Sequence, residues 1–70
     1  MDTKVTVNHQ IVKGAANYLL FSLNIHAIDG HTMTAAEQLA ELGPCQAVAY
    51  APTKRALVTL CAENGLQLVK

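Results

Sequence analysis

The residues that could do chemistry are few. Thr53-Lys54-Arg55 stands at the expected start of a helix. Cations in a first turn oppose the helix dipole, and an anion there would reverse that, because free N–H groups, a hydroxyl and two positive side chains would converge on it. Thr53, Lys54 and Arg55 are therefore the candidate contacts to an anion or a nucleic-acid phosphate. The alternative is two solvated surface cations. His9, His26, His31, Cys45 and Cys61 are the only His and Cys residues, and their spacing matches no paired zinc motif; only His26 and His31, across Asp29-Gly30, come near one. A cysteine with a histidine is the one nucleophile–base pairing on offer. Cys61, on the apolar side of its expected helix, would be inert through burial. No metal, no cofactor and no enzyme activity are expected.

Composition sets the frame for these residues. Seventy residues form one small domain, 1–70, with 51% hydrophobic and 14% charged residues. That is globular, but well below the roughly 25% charge usual in soluble domains. A core this small rarely supplies more than about 3–5 kcal/mol unaided. Formal net charge is zero. It sums to +1 over residues 1–13, −3 over 14–53 and +2 over 54–70, too little positive charge for a non-specific polyanion binder. The opening MDTKVTVNHQ has no apolar signal-peptide core, and the run from Ile11 to Ile28 is broken by Lys13, Asn17, Ser22, Asn24 and His26. A cytoplasmic protein, away from membranes, is expected, with Cys45 and Cys61 as small hydrophobes rather than a disulfide.

The elements follow from local pattern. Residues 3–7 alternate and read as a short strand. Asn8 fits an N-cap for a helix over about 9–27, ending before the Asp29-Gly30 turn. Thr34-Ala-Ala-Glu37 is a capping box opening a helix that Gly43-Pro44 closes. Residues 45–51 fit either a short helix or a strand, with helix favoured because Pro44 can open one. A last helix runs from Pro52-Thr53 to Asn64, with Gly65 as left-handed cap and Leu66 folding back towards Cys61. The tail LQLV reads as a strand that could pair with the first. The expected fold is mainly α (α+β): three to four helices and two short terminal strands.

On a helical wheel, residues 9–28 confine Gln10, Lys13, Asn17 and Asn24 to one narrow stripe, flanked by Leu20 and Phe21, with Ile28 upon it. Well over half the circumference is apolar, so this element should be buried on two sides. With few other residues to surround it, the second surface is expected to come from another copy or from a heterologous protein. Leu20, Phe21, Asn17, Asn24 and Ile28 are the candidate interface, and Gly14, Ala15 and Ala16 would let a neighbouring helix approach closely. The favoured function is a small protein-interaction module, a regulator, adaptor or inhibitor of the kind mobile elements or phages carry, acting as a homodimer or on a partner protein.

The stretch TAAEQLAELG…KRALVTLCAENGLQLVK resembles a winged helix-turn-helix: a capped helix ending in Gly, a second helix, and a Gly-Leu step into a wing strand. The resemblance covers about half the chain. It implies, as the alternative function, a dimeric DNA-binding regulator using the helix that begins at Thr53. The chain departs from that pattern in the long segment after Gly43 and in a second helix whose bases stop at the first turn.

Overall fold

In the computed structural model, which describes residues 7–69, the chain is an α+β domain built on a four-stranded mixed sheet with two helices. Strand β1 (Asn8–Lys13) turns into β2 (Tyr18–Ser22), and helix α1 (Ala35–Leu42) follows. A 3-10 turn (Pro44–Gln46) leads to β3 (Ala49–Ala51), helix α2 (Lys54–Asn64) and β4 (Gln67–Leu68). The strand order is β3-β2-β1-β4; β1/β2 and β2/β3 are antiparallel and β1/β4 is parallel.

The expected helix over 9–27 is not formed. Its first half is β1, Gly14 to Asn17 make the hairpin turn, closed by Gly14 N–H donating to the Asn17 carbonyl at 2.7 Å, and its second half is β2. Asn8 is a strand residue rather than an N-cap. The physical reason is that both faces of this hairpin are covered. Leu19 and Phe21 pack with Ala35 of α1, while Leu20 packs on the opposite face with Leu57 and Cys61 of α2. On β1, Val12 goes to the α1 side and Ile11 to the α2 side. A strand buried on two faces loses the apolar–polar alternation that marks a half-buried one, and its continuous apolar run imitates an all-round apolar helix.

The placement of α1 and α2 on opposite faces also removes the winged-helix arrangement, in which consecutive helices pack against one another. Among the described residues there are two α-helices and four strands, not three to four helices with two strands. Residues 45–51, open between helix and strand with helix favoured, become the end of the 3-10 turn and edge strand β3. The expected strand over 3–7 falls mainly outside the described residues; Val7 has no regular structure.

Elsewhere local signals hold. Thr34 caps α1 with the reciprocal Glu37 contact, and Gly43, at φ +88°, ends it. Thr53 caps α2, accepting from the Ala56 N–H at 3.2 Å, and Gly65 terminates it in the left-handed region at φ +68°. Leu66 folds back, its N–H donating to the Cys61 carbonyl at 2.8 Å. The tail strand forms, but it pairs with Asn8 and His9 of β1, within the expected helix, rather than with the expected strand over 3–7. Two side chains tie α1 to the sheet. Gln10 of β1 accepts from the Ala35 N–H at 2.9 Å, satisfying a donor of the first turn. Gln38, 1% exposed, donates to the carbonyls of Ser22 at 2.9 Å and Met33 at 3.2 Å.

Candidate functional site

The residues singled out for association separate. Leu20 and Phe21 are fully buried within the single chain, so they are core rather than an open seam. Asn17 is in the hairpin turn and Asn24 is exposed beyond β2. Ile28 is fully exposed. Lys54 and Arg55 are exposed at the start of α2, and Lys54 borders a depression of about 410 Å3 beside Leu68 and Val58. Cys61 is buried, as its place on the helix suggested, and desolvation pushes its thiol up; Cys45 is exposed. Among the described residues, no group of three or more His, Cys, Asp or Glu could hold a metal ion, and no helix is long and apolar enough to cross a membrane.

The feature that stands out lies between β2 and α1. Residues 25–33 form a small β-ribbon. Met33 N–H donates to the Ile25 carbonyl at 2.8 Å, His26 bridges Thr32, and Ala27 N–H donates to the His31 carbonyl at 2.9 Å. Its tip is a four-residue turn, Ala27 to Gly30, closed by Gly30 N–H donating to the Ala27 carbonyl at 2.9 Å. Gly30 takes φ +94°, the conformation a hairpin with a glycine bulge requires. That turn holds Ile28 out at its second position. The ribbon and the end of α1 enclose an open groove of about 560 Å3, with Ile25, Met33 and Leu42 as apolar walls and Asp29 and Glu41 at its rim. Leu42 is 44% exposed.

His31 fastens the ribbon to α1. Its Nε2 lies 2.9 Å from Oε2 of Glu37 and its Nδ1 lies 2.5 Å from Oδ1 of Asp29. Ionised carboxylates only accept, so satisfying both requires an imidazolium with two N–H donors. Glu37 meanwhile uses Oε1 to accept from Thr34 N–H at 3.1 Å, so one carboxylate serves both the helix cap and the ribbon. The hydrogen bonds to Glu37 and then Asp29 hold the His31 pKa above its ordinary value near 6.5. Asp29 is held low by the His31 backbone N–H and then its ring, and Glu37 by the His31 ring and then the Thr34 backbone N–H.

The support from His31 is therefore complete below pH 6.5 and lost as pH rises through the raised value; on the acid side it is lost as pH falls through the lowered values of Asp29 and Glu37. All three side chains are solvent-exposed, which screens the interaction. An NMR titration should place the His31 midpoint above about 6.5, and Glu37→Gln should lower it. A midpoint unmoved by Glu37→Gln would remove the bridge.

The sequence showed the Asp29-Gly30 turn and the Thr34–Glu37 box separately. Their connection through His31 depends on the ribbon's registry, which neither motif carries. The one legible trace of the groove was an isoleucine beside a turn dipeptide. Comparison with protein-family models, with curated proteins and with solved structures finds no match for the chain.

Proposed function

We propose that this domain is a protein-interaction module whose docking surface is the groove between the 25–33 ribbon and the end of α1. The observation that carries the reading is Ile28, a large aliphatic side chain held fully in solvent by a well-formed turn, above a groove walled by Ile25, Met33 and Leu42. Scattered exposed apolar residues are ordinary; several converging on one concave surface with a charged rim are the composition of a protein-binding patch. The surface is also built rather than frayed, since the ribbon is hydrogen-bonded within itself and tied to α1 through His31.

This reading keeps the interaction class that composition suggested while moving the surface away from Leu20 and Phe21. The test is affinity capture from cell extract with the native domain and with an Ile28→Ser, Leu42→Ser double variant in parallel. Both positions are exposed, so circular dichroism and the urea midpoint should match the native protein, within about 0.5 kcal/mol. Specific proteins retained by the native domain and missing from the variant support the reading. The same set retained by both would remove the groove as the docking surface.

A further inference from the structure

We infer that the groove receives a partner segment that carries a lysine or arginine next to an aliphatic side chain; the inference rests on the docking reading above and supplies the chemistry of the occupant. Between residues 14 and 53 the chain holds three carboxylates, Asp29, Glu37 and Glu41, and no lysine or arginine. The fold brings all three to this one place. Asp29 stands on the ribbon turn and Glu41 on the last turn of α1, both at the groove rim, and Glu37 is one helical turn before Glu41, on the same helix face.

The described cations are elsewhere. Lys13 closes β1 at the hairpin turn, and Lys54 and Arg55 open α2, which packs on the opposite face of the sheet. His31 neutralises part of the Asp29–Glu37 pair, but Glu41 has no hydrogen-bond or ion-pair partner among the described residues. Glu41 is therefore the carboxylate left for an incoming cation, 13 positions after the Ile28 tip in sequence and across the groove from it. An aliphatic side chain would enter between Ile28 and Leu42, with its neighbouring ammonium or guanidinium reaching Glu41 and Asp29. A cation at such a rim gives orientation and a faster encounter more than raw affinity, so the apolar walls carry most of the binding.

The experiment is selection of a random dodecapeptide library, displayed on phage, against the full 70-residue domain. Enriched peptides are then synthesised and titrated against the native protein, Ile28→Ser with Leu42→Ser, and Asp29→Asn with Glu41→Gln. The expected sequences pair Lys or Arg with Leu, Ile, Val or Phe. Their affinity should fall about tenfold or more in the serine variant and about threefold in the amide variant. Raising the ionic strength from about 0.05 to 0.3 M should weaken native binding and leave the amide variant's binding nearly level. Peptides that need Ile28 and Leu42 but lack cations, or that ignore the amide replacements, would overturn the inference while leaving the docking reading in place. Peptides insensitive to the serine replacements, or no enrichment at all, would overturn both. A native mass that doubles with concentration and returns to monomer in the serine variant would assign the groove to a second copy and overturn the inference about its occupant.

Discussion

Replacing Phe21 by alanine is expected to leave the chain largely unfolded at 25 °C. Phe21 is fully buried in β2, where it packs with Leu19 and Ala35 beneath α1, and Val12 and Leu39 close the same cluster. Truncating a buried phenylalanine costs about 3–5 kcal/mol, through lost transfer energy and the cavity left behind. A domain this size has about the same amount to lose. The expected observation is a far-UV circular dichroism spectrum without the native helix signal, partly restored by a stabilising osmolyte. A cooperative unfolding transition within about 1 kcal/mol of the native one would show that Phe21 is not core. This measurement also separates the helical reading of residues 9–27 from the hairpin. In the helical reading, polar replacement of Leu20 or Phe21 dissociates an oligomer of folded subunits. In the hairpin, each removes the packing of one sheet face on its helix.

Gln38 is the second position with a large expected effect, and for a different reason. Its amide is buried and donates to the carbonyls of Ser22 and Met33, joining α1 to the end of β2 and to the base of the ribbon. Gln38→Leu keeps the bulk and removes both donors, leaving those carbonyls without their partner. A net loss of about 1–3 kcal/mol is expected; losing the Gln38 Oε1, which has no partner among the described residues, offsets part of the cost. Gln38→Glu is the sharper variant. It would direct a carboxylate at two carbonyl oxygens in a buried place, so its folded-state pKa must rise. The variant should then be most destabilised at neutral pH and recover relative to the native protein as pH falls through the raised folded value, with recovery complete below about 4.3, where the unfolded carboxyl also takes up its proton. Urea midpoints across that pH range measure it. A stability difference independent of pH would show that residue 38 does not face those carbonyls.

Some of this molecule was fixed by short-range chemistry and so could be read directly. The box at Thr34 and Glu37, the stop at Gly43-Pro44, the helix start at Pro52-Thr53, the left-handed Gly65 and the turn at Asp29-Gly30 all act within a few residues. Each formed where its own sequence placed it. What local pattern could not supply was which surfaces would be covered. Ile11 and Val12 are neighbours in sequence and go to opposite helices, as do Leu20 and Phe21. That is why β1 and β2 show no alternation. An all-round apolar run signals burial on two sides for a helix and for a strand alike, and only the positions of α1 and α2 decide between them.

The chemistry-bearing residues divide the same way. Sequence alone determined that this chain has few of them, neutral charge overall and no lysine or arginine between residues 14 and 53. Tertiary structure decided that Leu20 and Phe21 are spent on the core, and that Ile28, Asp29, His31, Glu37, Glu41 and Leu42 share one surface. The reason is registry: a ribbon closed by hydrogen bonds between residues 25–27 and 31–33, then held to α1 by the His31 imidazole and the Gln38 amide, sets distances that no spacing in the chain encodes.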